Sequence, residues 1–404
     1  MRRILHVIDS LGYTGATMQL LALAEGLACR GFDVHIAALS ESSRTALPFR
    51  EACGEPGRAG PEEGSAAKSG PRIPVTYLPR RWRVDPLADV QLIRHVARLK
   101  PDVVHTWNCV PGMLGPIAVN WARTRRRRKQ LVAEPTEGPR LVAGQYRIQR
   151  WPSEFESQVE RRFARQAVRY LSNSTAVRDW CVTRGLRDQR FTVIPPGVPA
   201  APASDVPRDA LLRELNLPAD ARLIGVVGRL VPDSRVQDLI WAADLLRVLH
   251  DNLRVLIVGD GPLRSQLEQY ARLASDLEHI RFLGVRSDLW RILPHFDVLW
   301  NGSENRSVSS SILEAMAAGV PVIASDVPVN RELVVADETG YVIPIGRRSG
   351  RADRARHTDR IFNDAALAAR LGTAAKQVVS SRFNREQVVA SHADLYSEVL
   401  KAGR

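Results

Sequence analysis

The residues best placed to do chemistry fall in one stretch, 303–326, reading Ser-Glu-Asn-Arg-Ser-Val-Ser-Ser-Ser-Ile-Leu-Glu-Ala-Met-Ala-Ala-Gly-Val-Pro-Val-Ile-Ala-Ser-Asp. A polar, Ser-rich turn leads into a helix expected from about Val308. Gly319 stops that helix, and a short buried strand is expected over 321–324. The first N–H groups of a helix have no intrahelical partner and sit at the positive end of its dipole, so such a turn attracts anions. The hydroxyls of Ser309, Ser310 and Ser311 add donors, and Glu314, four residues after Ser310, shares the same mouth. A phosphate at the helix tip beside a carboxylate that accepts from sugar hydroxyls suits a nucleotide sugar. The ordinary alternative is a Ser-capped surface helix with a solvated Glu.

The elements that position this stretch repeat a β-then-α alternation along the chain. An apolar strand at 4–8 is followed by a Gly-containing turn, a helix over 17–30 with Leu20, Leu21, Leu23, Ala24 and Leu27 on one face, and a strand at 34–39. This is the start of a doubly wound sheet, without the Gly-x-Gly-x-x-Gly pattern of a nicotinamide enzyme. The Gly-, Pro-, Ala- and Glu-rich stretch 52–72 reads as a loop. Lys100-Pro101-Asp102-Val103-Val104-His105-Thr106-Trp107 reads as a strand with a polar, aromatic end. Ligands of open parallel sheets lie beyond such ends, which places His105, Thr106 and Asn108 at a cleft. His105 is either an acceptor-side base or a hydrogen-bonded structural histidine. A strand over 131–133 would bring Glu134 and Glu137 to a second strand end, to bind acceptor hydroxyls. After an Ala/Pro-rich linker at 200–207 the alternation resumes. Its strands are expected at 223–227, 255–258, 280–283 and 298–300, and an amphipathic helix closes the chain at about 385–400.

The reading is therefore an α/β protein of two doubly wound, Rossmann-like lobes facing across a cleft. The expected bounds are 1–200 for the first lobe, 201–383 for the second, and 384–404 for a last helix. At 404 residues, 45% hydrophobic and 25% charged, the chain has room for two cores and the composition of a soluble protein. No apolar run is long enough to span a bilayer, and Met1-Arg2-Arg3 precedes too short a run for a signal peptide. Cys29, Cys53, Cys109 and Cys181 are scattered without metal-ligand spacing, which suggests a reduced, cytoplasmic chain. The net charge of +13 includes a block of Arg123, Arg125, Arg126, Arg127, Arg128 and Lys129 beside Trp121. That block is either a solvated loop or a contact with an anionic membrane surface, which would make the protein peripheral at the inner membrane face. No helix-turn-helix, zinc finger or aromatic-basic platform supports nucleic-acid binding.

The segment Leu-Glu-Ala-Met-Ala-Ala-Gly-Val-Pro-Val-Ile-Ala-Ser resembles the C-terminal signature of the retaining family 4 (group 1) glycosyltransferases, which have the two-lobed GT-B fold. The resemblance continues in register across most of the chain. It implies a nucleoside-diphosphate sugar as donor substrate, no cofactor, no metal, and a glycan, envelope or lipid-linked acceptor. In its terms Arg229, in Gly228-Arg229-Leu230, donates to the diphosphate. The backbone near Gly284 and Val285 meets the base, and Val308, Ser309 and Ser310 offer donors to phosphate. Glu314 accepts from ribose hydroxyls, Gly15 keeps one glycine of a phosphate-approaching pair, and the last helix crosses back to the first lobe. Three positions depart from the family pattern. Arg306 stands where the first motif Glu is expected, with Glu304 two residues early. Ser234 stands for a Lys, with Arg235 beside it as the second cation expected to bind the donor, and Pro195-Pro196-Gly197-Val198-Pro199 replaces Pro-Asn-Gly-Val-Asp. A carboxylate accepts from sugar hydroxyls whereas Arg only donates. The departures leave three readings: selection of an acidic donor sugar by Arg306, a diphosphate contact by Arg306 that makes up for Ser234, or a sugar-nucleotide-binding partner subunit with weakened catalysis. A nucleotide-sugar epimerase on the same fold is a further alternative.

Overall fold

The computed structural model describes residues 2–12, 14–40, 71–80, 85–108, 138–148, 158, 161–162, 165–201, 206–274, 278–305, 307–346 and 349–401. The chain divides into two compact units: unit 1 is Met1–Gly197 with Arg385–Arg404, and unit 2 is Val198–Asn384.

Unit 1 is built on seven parallel strands, β1 (Arg3–Ile8), β2 (Asp33–Ala38), β3 (Val75–Tyr77), β4 (Val103–Trp107), β5 (Arg140–Gln145), β6 (Arg169–Ser172) and β7 (Phe191–Val193), in the order β3-β2-β1-β4-β5-β6-β7. Such sheets are covered on both faces, so their strands are apolar runs; every residue of β4 is buried. Helix α1 (Gly15–Cys29) begins two residues earlier than its apolar face indicated, because Thr14 caps it by accepting from Thr17 N–H at 3.3 Å. Helix α2 (Pro86–Leu99) is capped by Asp85 and ends at a left-handed Lys100 before Pro101, and α3 (Thr175–Thr183) is capped by Ser174. On one face of the sheet Leu92 and Val96 of α2 pack with Leu5, Val7 and Val104. On the other, Leu20 and Leu27 of α1 join Ile4, Val103 and Tyr396.

Unit 2 repeats the plan with six parallel strands, β8 (Arg222–Val227), β9 (Leu253–Val258), β10 (Ile280–Gly284), β11 (Val298–Asn301), β12 (Val322–Ser325) and β13 (Gly340–Ile343), in the order β10-β9-β8-β11-β12-β13. Its helices include α4 (Arg208–Glu214), α5 (Val236–Arg247), α6 (Arg264–Ala274), α7 (Ser310–Ala318), α8 (Ser349–Asn363) and α9 (Ala365–Arg382). Leu239 and Ile240 of α5 cover one face, and Ile312 and Met316 of α7 with Ala375 of α9 cover the other. The final helix, α10 (Arg385–Lys401), belongs to unit 1, where Val389, Leu395, Tyr396 and Val399 enter the core.

Two differences from the sequence reading concern elements. The strand beside β4 is Arg140–Gln145, with Leu141 and Val142 fully buried; Gly144 and Gln145 interrupt its apolar run and hide it. The strand expected over 131–133 lies outside the described residues, as do 52–72, Glu134, Glu137, the block 123–129 and Arg306. Strand β13 and helices α8 and α9 complete unit 2 beyond the stretch that the sequence reading assigned.

Candidate functional site

In both sheets the strand order reverses direction at one point, between β1 and β4 and between β8 and β11. Loops leaving the carboxyl ends there diverge and open a crevice, where doubly wound sheets bind ligands. In unit 2 the loops at this point are Gly228-Arg229-Leu230 after β8 and 302–309 after β11.

The first loop is held by backbone. Gly228 N–H donates to Val258 O, Leu230 N–H to Asp260 O and Leu263 N–H to Leu230 O, all at 3.0–3.1 Å. A Cβ on Gly259, whose φ is +134°, would lie 2.0 Å from Gly228 O, so only glycine lets the two loops touch. On this fixed turn Arg229 is exposed and forms no ion pair among the described residues. It contrasts with Arg235, the second cation expected to bind the donor. Arg235 sits in the left-handed region and is paired with Asp238, with Glu304 at 3.5 Å, while Arg351 holds Asp238 from the other side. Its charge is compensated within the protein, which corrects the expectation of a cation free for phosphate. Ser234, at the expected Lys position, donates to Val231 O at 2.6 Å and closes a local turn.

The second loop ends at α7, which begins at Ser310 rather than Val308; Val308 is buried. Ser309 occupies the N-cap position but its hydroxyl does not cap the helix. It accepts instead from Asn301 Nδ2 at 3.2 Å and pairs with Ser311 Oγ at 3.0 Å. Ser310 Oγ is buried with no partner among the described residues. Gly319, left-handed at φ +78°, terminates the helix. One turn in, the Glu314 carboxylate makes no hydrogen bond or ion pair among the described residues. Although only partly buried by area, it is enclosed enough that loss of water pushes its pKa up to about 7. Below this loop Arg354 is buried, donates to Ile323 O at 2.9 Å and lies 5.8 Å from the Trp300 ring; burial lowers its pKa to about 9. Beyond β10, Val285 is exposed next to Gly284, whose φ is +71°. The structure thus brings Arg229, Ser309, Ser310 and Glu314 to adjacent strand ends of one sheet, with Val285 two strands away.

Unit 1 is different at the same point. Gly15 lies in the first turn of α1 and not in the loop before it. His105 is fully buried, with Nδ1 2.6 Å from Tyr396 Oη and Nε2 2.7 Å from Tyr146 Oη. With both nitrogens engaged, His105 is the structural histidine of the two readings. The acceptor-side base is corrected accordingly. Beside it, His6 Nδ1 accepts from Trp107 Nε1 at 3.1 Å, and Thr106 Oγ1 is buried without a partner among the described residues. Burial holds the His105 pKa well below the ordinary value, with His6 and His392 adding repulsion. The same burial lowers His6 to about 3 and His392 to about 4. Asn108, left-handed, accepts from Tyr146 N–H at 3.2 Å. Sequence reasoning missed the partners Tyr146, Tyr396 and His392; the i, i+4 spacing of His392 and Tyr396 was the available signal. Among the described residues no group of His, Cys, Asp and Glu is arranged to hold a metal ion, and no helix is long and apolar enough to cross a membrane.

Comparison with known proteins bears on the family and the fold. The sequence profile of the group 1 glycosyl transferases matches residues 207–378, and that of glycosyltransferase family 4 matches 13–201. The chain is 28% identical over 191 residues to the N-acetyl-alpha-D-glucosaminyl L-malate synthase of Bacillus anthracis, covering 47% of this chain and 49% of that one. It is 31% identical over 189 residues to a GDP-mannose-dependent alpha-mannosyltransferase of Mycobacterium tuberculosis, covering 46% of each. The match spans about half the length of these curated relatives. Among solved structures, Anabaena Alr3699/HepE in complex with UDP-glucose superposes with a TM-score of 0.80 at 20% identity, over 98% of this chain and 100% of that one. WaaG, a glycosyltransferase involved in lipopolysaccharide biosynthesis, superposes with a TM-score of 0.71 at 14% identity, over 97% and 99%. At such identities the likeness shows the fold, GT-B.

Proposed function

Because the chain belongs to the group 1, family 4 glycosyltransferases, we propose that it transfers a sugar from a nucleoside diphosphate to a glycan or lipid-linked acceptor of a cell envelope or polysaccharide. The observation that carries this reading is the meeting at one switch point of an exposed Arg229 and a helix tip with a buried Ser310 hydroxyl, both without partners among the described residues. Both are donors without acceptors, and a diphosphate supplies acceptors.

In this scheme the Arg229 guanidinium takes two diphosphate oxygens and stabilises the charge that builds on the leaving nucleoside diphosphate. The N–H groups at the start of α7, with Ser309 and Ser310, take the remaining oxygens. Glu314 accepts from the ribose hydroxyls; ligand binding favours its ionised form and draws its pKa down from about 7. The backbone at Gly284 and Val285 meets the base. Arginine and helix dipole together carry the charge, so the scheme needs no metal, and retention of configuration follows from the family resemblance. UDP is the first nucleotide to test, since a protein of the same fold holds UDP-glucose. Arg306 is assigned to an acidic group on the donor sugar, and the block 123–129 to an anionic membrane surface that brings the acceptor within reach.

The compensated charge of Arg235 and the loss of the Lys at Ser234 favour a second reading, a sugar-nucleotide-binding partner subunit with weakened transfer. Calorimetry of UDP, GDP and ADP with their neutral and acidic sugars, wild type beside Arg229→Ala, tests both. The expected result is saturable binding of one nucleotide that Arg229→Ala weakens by about 100-fold, the scale of a lost charge-assisted pair. Binding that survives Arg229→Ala would overturn the site. Binding without turnover on any acceptor would select the second reading. For the sugar, Arg306→Glu is expected to shift preference from acidic to neutral donors.

A further inference from the structure

We propose that Arg354 is the second cation of the donor site, buried beneath the switch point of unit 2 and acting on a bound diphosphate through the end of β11 without touching it. The proposal rests on the reading of that site given above.

Arg354 belongs to α8 and is 5% exposed. Its Nη1 donates to Ile323 O of β12 at 2.9 Å and to Asn301 O of β11 at 3.4 Å, and its Nη2 to the same Asn301 oxygen at 3.5 Å. Aromatic packing fixes the guanidinium there. Its Cζ lies 5.8 Å from the Trp300 ring, and Trp300 Nε1 donates at 2.9 Å to Thr358 Oγ1, one turn further along α8. Among the described residues Arg354 forms no ion pair. Asp238, whose field reaches it, is already held by Arg235 and Arg351.

A strap between two strand ends does not need a charge. Trp300 and Ile323 already pair in register, as do Asn301 and Ala324, and Asn301 O also accepts from Ser325 Oγ at 3.3 Å. A neutral donor would serve there at lower cost, because a buried cation without a counter-ion forfeits its hydration. Asn301 shows where the charge has a use. Its Oδ1 accepts from Ser303 N–H at 3.1 Å and its Nδ2 donates to Ser309 Oγ at 3.2 Å. The residue that Arg354 grips therefore pins both ends of the loop that leads into α7. The positive field of Arg354 reaches the helix tip through protein rather than water, where screening is weak. It also meets a shortage of positive charge at the site. Ser234 stands at the expected Lys position and Arg235 is compensated by Asp238 and Glu304, which leaves Arg229 alone to face a diphosphate. Arg229 touches and orients the ligand; Arg354 raises the potential around it.

The test is calorimetry of the full-length chain. UDP, GDP and ADP first identify the diphosphate that binds, and its nucleoside monophosphate and nucleoside are then titrated beside it. Wild type is compared with Arg354→Gln, which keeps a donor without the charge, and Arg354→Lys, which keeps the charge. Arg354→Met, apolar and of similar length, repeats the removal of charge where the Gln variant does not fold. Without the charge, diphosphate affinity is expected to fall about tenfold and monophosphate affinity about threefold, with the nucleoside unchanged. That is the scale of one unit charge acting across about 10 Å at an effective dielectric constant of about 20. Arg354→Lys is expected to stay within about twofold of wild type for all three ligands. A purely structural strap would move the three ligands together, since loosening the loop does not depend on ligand charge. Equal losses for all three, a Lys variant as weak as the Gln variant, or an unchanged diphosphate affinity in the Gln variant would each overturn the proposal while the donor site stands. Failure of the donor site reads differently: wild type binds no diphosphate, or binds one that Arg229→Ala does not weaken, and the proposal falls with it.

Discussion

The two units solve the same folding problem and treat the result differently. Each sheet reverses its strand order once, and each reversal creates a crevice at the carboxyl ends of its strands. In unit 1 that crevice is closed at its base by a buried cluster in which His105 is held by Tyr146 and Tyr396 and His6 by Trp107, while His392 turns to Val388 O and His6 Nε2 has no partner among the described residues. In unit 2, among the described residues, it is left with an unpaired arginine, an unpartnered serine and a carboxylate stripped of water. Charge divides the same way. Unit 2 carries 23 Lys and Arg against 23 Asp and Glu, so the entire excess of +13 falls on unit 1. A neutral unit with a few uncompensated groups suits local recognition of a ligand, and net positive charge favours approach to anionic partners.

Acid should break the comparison most strongly. His6 and His392 titrate near 3 and 4 in the folded unit instead of 6.5. Between those values the unfolded chain binds protons that the folded unit refuses, so stability is full above about pH 6.5 and falls as pH drops toward 4. Two such histidines cost about 4 kcal/mol between pH 7 and 5, and His105 adds to the loss. Urea-gradient proteolysis at pH 7 and 5, with fragments assigned by mass, should show unit 1 opening first. Equal loss in both units would mean that the cluster does not dominate. Gly144→Ala attacks the same cluster sterically. Its Cβ would lie 2.5 Å from Thr106 O and 2.6 Å from the Tyr146 ring, so Tyr146 must leave His105, at about 3 kcal/mol. Urea unfolding measures this, and a change under about 1 kcal/mol would show the ring free to move.

The same contrast explains what could be read from sequence. Doubly wound units were legible because buried parallel strands are unbroken apolar runs, and Arg229, Ser309, Ser310 and Glu314 were legible because a strand end and a helix start fix their place. Strand β5 was hidden by Gly144, whose missing side chain makes room for Tyr146, and by Gln145, whose amide donates to Arg147 O at 3.0 Å. His105 was ambiguous because a histidine at a strand end looks alike whether it faces a ligand or two tyrosines, one of them 291 residues away. Arg235 looked free because its partner Asp238 is a helical neighbour while Glu304 and Arg351 come from distant segments. Local chemistry was visible; long-range compensation was not.

Glu314→Gln sharpens the comparison from the other side. A carboxyl whose folded pKa is raised from 4.5 to about 7 is most compatible with folding below pH 4.5, and that advantage is lost as pH climbs to 7. Gln removes the penalty, so the variant should be more stable than wild type at pH 8 by about 2 kcal/mol, allowing for partial exposure, and equal to it at pH 4.5. Nucleotide affinity should fall about tenfold at pH 8, because Gln accepts less strongly than a carboxylate. A stability gain without the affinity loss would place Glu314 outside the site.

Ser310→Ala has the smallest expected effect and the most direct meaning. A buried hydroxyl without a partner costs about 1 kcal/mol, so its removal should leave unit 2 as stable as before or stabilise it by about that much. Were the hydroxyl a structural part of α7, the same substitution would destabilise, since Ala cannot replace a hydrogen bond. Diphosphate affinity should move oppositely, weakening by about fivefold for one neutral hydrogen bond. Paired thermal unfolding and calorimetry on the one variant therefore read two signs. A serine kept for a ligand gives stability unchanged or raised with affinity lowered, whereas a serine kept for the fold gives stability lowered with affinity unchanged.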